Sequence, residues 1–463
     1  MPLARRLLPR LLIRIRRFFR NDQLVLAGLA LVIGTTAGAG AIAFRWLIGA
    51  VQFVFYGFSA ETVVTLAADL PWWQILFAPA VGGLAIGLVL RFLVPGGRPL
   101  GVPHVMEVHA LRDGRMSVRS GLAAAVASAA SLGVGASVGR EGPVVHLGAT
   151  IGSGLARVMR LPSNLSRTLL GCGVAAAVAA SFNAPIAGVF FALEVVVGQY
   201  ALTIFAPIVL AGVSGTVLSR LYYGDFPAFI LPARFEIQSF LEFPAFAVLG
   251  GVSALVSVIF MKSAVATEDL ADRTPIPRVL RPAVGGLFVG AIALWFPHVL
   301  GVGYEATDMA LKGMLPLWLL LALIVAKGAA TAISLGFGFA GGMFSPALFL
   351  GAMTGGAFGV IATHVFPQLS SGTGAYTLIG MGAVSGAVLG APISTILIIF
   401  EMTGDYALTT ALMVSVVIAS TLVDQAFGRN FFTWQLERSG IDLKRLPHPG
   451  TQGGRGTQRR QGP

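Results

Sequence analysis

The sequence predicts an all-α polytopic membrane protein, an inverted-repeat fold with many tilted and broken helices, and three observations carry that prediction. Hydrophobic residues make up 56% of the 463 positions and charged residues only 11%, a balance that excludes an ordinary soluble protein. Segments 24–43, 73–94, 246–261, 317–326 and 413–423 are almost free of charge, and several approach the ~20 apolar residues that a bilayer-crossing helix needs. The chain also contains two copies of one plan. A β-barrel would instead show strictly alternating segments of about ten residues, and nothing here alternates that way.

Breaks in the helices follow from the 59 glycines and 25 prolines. In a membrane these residues permit close helix contact and interrupted helices that line a polar cavity. The formal charge of +12 is concentrated partly in the arginine-rich, amphipathic start. Residues 1–22 are therefore expected to lie on the cytoplasmic membrane surface. No long apolar core with a small-residue cleavage site follows, so the start is a poor secretory signal. Nucleic acid is not an expected partner, because the apolar composition leaves no soluble domain to bind it. The lone Cys172 rules out an intrachain disulfide and any multi-cysteine metal site, and neither metal nor cofactor is expected.

The duplication comes from two pairs of segments. Residues 131–149 (SLGVGASVGREGPVVHLGA) align without a gap on 334–352 (SLGFGFAGGMFSPALFLGA), and 184–194 (APIAGVFFALE) on 391–401 (APISTILIIFE). A membrane domain over 23–440 then divides into repeats of about 25–225 and 240–430, joined near 222–234. The tail, 441–463, is rich in Gly, Gln, Arg and Pro and is expected to be disordered. If each half crosses the membrane an odd number of times, the copies are inverted and both termini lie on one side, as the basic ends suggest. Such repeats place a binding site near the midplane. A parallel duplication or a shared packing motif is the alternative.

Chemistry enters at Gly139-Arg140-Glu141-Gly142-Pro143, a charged pair inside apolar sequence, where ionisable groups are costly and usually functional. Proline in a first helical turn, after glycines, frees backbone N–H groups to attract an anion. The second copy, Gly341-Gly342-Met343-Phe344-Ser345-Pro346, keeps the glycines and the proline without the charges. Pro99-Leu100-Gly101-Val102-Pro103 follows the same logic. Each motif alone is weak; their agreement with the repeat gives them weight.

On these motifs the chain resembles the CLC chloride channels and chloride/proton exchangers from about Leu24 to about Leu436. GREGP is among that family's most specific signatures, GGMFSP is similar to its GxFxP segment, and PLGVP to its GSGIP. The resemblance implies a homodimer with one pore per subunit, anions bound by helix N-termini, and a place in a prokaryotic inner membrane with both termini cytoplasmic. No CBS domain fits in the tail. Glu141 matches the family's gating glutamate, whose carboxylate competes with anions and leaves when protonated. Leu100, Gly101, Val102, Pro103, Gly139, Arg140, Gly142, Pro143, Gly342, Met343, Phe344 and Phe432 match the positions that bind or line the anion path.

Three departures bear on mechanism. Leu100 stands where the family has its central-site serine, and Phe432 where it has a tyrosine, so both side-chain donors are missing. Backbone N–H groups must then hold the ion, which implies weaker central binding or altered selectivity. Val195 occupies the position of the internal proton glutamate and cannot carry a proton. That favours passive conduction of chloride or a similar inorganic anion. Proton-coupled exchange by another internal path, or preference for bicarbonate, nitrate or fluoride, is the alternative.

Other ionisable residues admit plainer roles. Glu194 and Glu401 recur at repeat-equivalent positions and are expected to satisfy helix ends. His104 and His146 lie near the two Gly-Pro segments and are expected to be hydrogen-bonded in place, though either can relay protons. A membrane-embedded enzyme using Glu141 with one of these histidines lacks any Ser/His/Asp or HExxH pattern.

Overall fold

Pro and Gly mark many of the helix ends: Pro185 and Pro392 open helices and Gly404 and Gly428 close them, while Pro79 and Pro207 sit inside helices. The computed structural model of the chain describes residues 22–59, 62–67, 69–225, 229 and 237–442. The first half holds α1 (Asp22–Tyr56), α2 (Val63–Ala67), α3 (Trp72–Leu93), α4 (Val102–Leu111), α5 (Val118–Gly133), α6 (Glu141–Val158), α7 (Ser163–Phe182), α8 (Pro185–Phe191) and α9 (Leu202–Tyr223). The second holds α10 (Phe243–Arg273), α11 (Arg281–Trp295), α12 (Tyr304–Leu311), α13 (Leu317–Gly336), α14 (Phe344–Val365), α15 (Thr373–Leu389), α16 (Pro392–Thr403), α17 (Tyr406–Phe427) and α18 (Phe431–Arg438). Among the described residues there is no β-strand. The expected surface helix in 1–22 and the disordered tail in 441–463 fall almost wholly outside the described residues, as does most of the linker near 222–234.

Among the described residues eight helices are long and apolar enough to cross a membrane, which makes this an integral membrane protein. The apolar window of α7 is 83% buried and that of α1 only 39%, so α7 is enclosed by protein while α1 turns its apolar side chains outward, toward lipid. Shorter members such as α4 and α12 cannot span a bilayer, and their first residues, Val102 and Tyr304, are buried inside the protein. The apolar stretch 24–43 is only part of α1, which continues to Tyr56 because no Pro interrupts it.

Contacts between the halves are reciprocal at repeat-equivalent positions. The Gly139 N–H donates to the Gly342 carbonyl at 2.7 Å, and the Gly342 N–H donates back at 2.8 Å. Ser131 Oγ accepts the Ala340 N–H at 3.0 Å, and Ser334 Oγ accepts the Ser137 N–H at 3.1 Å. The α3–α11 crossing repeats the rule: a Cβ on Gly83 would meet the Pro282 carbonyl at 2.3 Å, and one on Gly286 the Pro79 carbonyl at 2.2 Å. Glycine lets the two backbones touch there. Each of these pairs exchanges its members between the two copies, as two repeats related by a local two-fold rotation do.

Candidate functional site

Every α-helix leaves its first N–H groups without carbonyl partners, and a polar group must satisfy them. Two of the broken helices solve this with acids from the opposite half. Glu194 accepts the N–H groups of Ile393 and Ser394 at 3.1 and 2.8 Å, at the start of α16. Glu401 accepts those of Ile186 and Ala187 at 3.0 and 2.7 Å, at the start of α8. Both glutamates are structural caps.

Four other helix starts, those of α4, α6, α14 and α18, open instead onto one cavity of about 1100 Å³. Leu100, Gly101, Val102 and Pro103 line it at α4, Glu141 and Gly142 at α6, Gly342, Met343 and Phe344 at α14, and Phe432 at α18. The starts of α6 and α14 are held side by side by the Gly139–Gly342 pair. A Cβ on Gly142 would lie 3.2 Å from the Gly342 Cα, so the junction tolerates no larger residue without movement. The partial positive charge of converging N-termini favours an anion in this space. Leu100 and Phe432 add apolar surface to the wall and no donor.

Gly139, Arg140 and Pro143 do not line the cavity. Gly139 is taken up by the bridge to Gly342, and Pro143 is buried within α6. Arg140 is 5% exposed and turns its guanidinium over the Tyr304 ring, 4.5 Å from the centroid. Its Nε stands 3.7 Å from Glu141 Oε1, so it acts on the site through charge.

Glu141 is the one acid among these helix starts, and it is 1% exposed. The Tyr304 hydroxyl donates to its Oε1 at 2.7 Å, and the Ser345 hydroxyl donates to its Oε2. The carboxylate thus lies on the cavity wall, held by two hydroxyl donors. Reading the sequence for charged motifs missed Tyr304, which follows Gly303 at the head of α12 as Val102 follows Gly101 at the head of α4. It also missed Ser345, although that residue sits inside GGMFSP at the repeat-equivalent of Gly142.

His104 lines the cavity, and its Nδ1 lies 3.0 Å from Nε2 of His146, which is 1% exposed. The two histidines therefore partner one another, and neither forms a recorded hydrogen bond with Glu141. Val195 is buried in the wide turn that ends α8 and does not reach the cavity. Arg91, Arg98, Arg278, Arg281 and Arg438 also line the space, with Arg281 tied to Asp272 and Arg438 to Asp269. Glu107, Glu268 and Asp272 share the same wall with Glu141, so the arginines outnumber the acids there by only one. Among the described residues no cluster of three or more His, Cys, Asp or Glu side chains is placed to hold a metal.

Residues 81–424 match the family described as voltage gated chloride channel. A ClcB-like chloride channel protein, so named, from Ralstonia nicotianae is 34% identical over 430 residues, 92% of this chain and 99% of that protein. The H(+)/Cl(-) exchange transporter ClcA of Salmonella agona is 29% identical over 448 residues, 92% of this chain and 91% of that one. A solved slow cyanobacterial Cl-/H+ antiporter shares the fold, with a TM-score of 0.79 at 22% identity over 91% of this chain and 99% of its own. Of two longer relatives from Arabidopsis thaliana, CLC-f and CLC-e, the chain spans about half the length.

Proposed function

The chain belongs to the voltage-gated chloride channel family, and from that premise we propose that its cavity passes chloride or a similar small inorganic anion passively, with Glu141 as the gate. The observation that carries this reading is the placement of one buried carboxylate among four helix N-termini on a cavity lined by arginines. Ionised, Glu141 occupies the positive pocket and excludes the ion. Protonated, it no longer competes for the amides, and an anion replaces it. Leu100 and Phe432 offer no hydroxyl, so the ion is held by backbone N–H groups alone and leaves easily. Val195 is apolar and does not line the cavity, so it offers no internal proton acceptor. The protein works as a homodimer with one pore per subunit, in a prokaryotic inner membrane with both termini in the cytoplasm.

A second reading, anion/proton exchange, is favoured by the His104–His146 contact. It puts His104 on the cavity wall and its partner His146 on α6, the helix that also bears Glu141, and their 3.0 Å separation suits proton transfer. Flux in liposomes distinguishes the two. Passive conduction gives anion efflux with no proton movement, whereas uphill proton movement driven by a chloride gradient rejects it in favour of exchange.

A further inference from the structure

We infer that Tyr304 and Ser345 form a latch that holds Glu141 in its closed position, and that they set how readily the gate opens. This inference rests on the reading of Glu141 as the gate and adds the parts that restrain it.

Both oxygens of the carboxylate are engaged by hydroxyl donors, Tyr304 on Oε1 at 2.7 Å and Ser345 on Oε2. A hydroxyl donating to a carboxylate is a charge-assisted bond, about twice as strong as a neutral one, and burial removes the competing water. Hydroxyls on two different helices must therefore let go before the side chain can swing away. A neutral carboxylic acid accepts these bonds more weakly, so the same two donors favour the closed, ionised form.

Tyr304 is held firmly for such a task. Gly303, at φ +88°, turns the chain into α12 in a conformation that suits glycine. Behind that turn, the fully buried Lys327 donates to the Val299 and Gly301 carbonyls at 3.0 and 2.8 Å. On the other side, Glu305 accepts the Val64 and Thr65 N–H groups at 2.6 and 3.1 Å and pins α12 to α2. The Arg140 guanidinium covers one region of the phenol ring and the Phe229 ring stands 4.8 Å from it. Two charged residues flanking Tyr304 in space are thus committed to fixing the backbone that carries it. The groups facing Glu141 are Arg140 from its own helix start, Tyr304 from α12 and Ser345 from α14, with His104 and Glu107 of α4 elsewhere on the cavity wall.

The test is chloride efflux from liposomes between pH 4.5 and 8 for the parent, Tyr304→Phe, Ser345→Ala, Glu141→Gln and the double variant Tyr304→Phe/Glu141→Gln. Losing a hydrogen bond that restrains the closed side chain frees the gate, so Tyr304→Phe is expected to speed flux at pH 7.5 about 5- to 10-fold. Ser345→Ala is expected to speed it in the same way. In the Glu141→Gln background the added Tyr304→Phe change should alter nothing, whereas a phenol that merely fills space would change flux in both backgrounds. Unchanged flux at pH 7.5 in both single variants, or an equal change with and without Glu141, overturns the latch. If Glu141→Gln itself leaves flux and pH dependence at parental values, the gate reading fails and the latch with it. Should Tyr304→Phe fail to give monodisperse protein, Ser345→Ala alone and combined with Glu141→Gln carries the same comparison.

Discussion

Glu194 and Glu401 exchange places across the protein: each sits at the end of one half's broken helix and caps the start of the other half's. The pattern explains why two acids persist in apolar segments without facing the ion cavity, and it leaves Glu141 as the only acid on the helix starts that line that cavity.

Replacing either cap weakens the fold more than the transport. Glu194→Gln and Glu401→Gln keep one acceptor oxygen but lose the charge that offsets the helix start, at a cost of about 1–2 kcal/mol each. Thermal unfolding in detergent should show both variants melting earlier, while chloride flux per folded protein stays near parental values. A flux collapse with unchanged melting would mean that these acids serve the ion path.

The α3–α11 crossing predicts a steric limit. Gly286→Leu would drive a side chain into the Pro79 carbonyl, 2.2 Å from where its Cβ must go. Overpacking of this kind costs about 1–3 kcal/mol. The equivalent substitution at Gly83 should cost about the same, because the two contacts are related by the repeat. Melting temperatures measured side by side check both the size and the symmetry.

The bare central wall predicts gain of binding. Leu100→Ser or Phe432→Tyr adds a hydroxyl donor beside the helix N-termini. Each should tighten chloride binding by about 1 kcal/mol, roughly fivefold. Isothermal titration of the purified protein reads this directly, and unchanged affinity in both would place the ion away from these positions.

Exchange through the histidines has its own test. If protons travel by His104 and His146, His104→Phe should abolish proton movement while anion flux persists. Under passive conduction neither the parent nor the variant moves protons.

Much of this arrangement was legible in the sequence because duplication writes it twice. The match of 131–149 to 334–352 pointed to the two helix starts that Gly139 and Gly342 join, and Glu141 stood out as half of a charged pair, with Arg140, in apolar surroundings. Side-chain partners from distant segments left no such trace. Tyr304 lies in GVGYE, a run with no charge pattern around its phenol, and it reaches Glu141 only because α12 folds over α6. His104 and His146 were each visible, but their pairing depends on how α4 packs against α6, which no local spacing records. Arg140 was expected on the anion path; folding instead laid it over Tyr304, since a buried guanidinium gains more from an aromatic face and a neighbouring carboxylate than from an empty wall.

The account turns on a carboxylate that competes with an anion for backbone amides, and chloride efflux from liposomes bearing Glu141→Gln addresses it most directly. A neutral side chain at this position should give fast flux that no longer varies between pH 4.5 and 8, against a parent that slows as pH rises. Flux in the variant that keeps the parent's pH dependence, or disappears in folded protein, would contradict it.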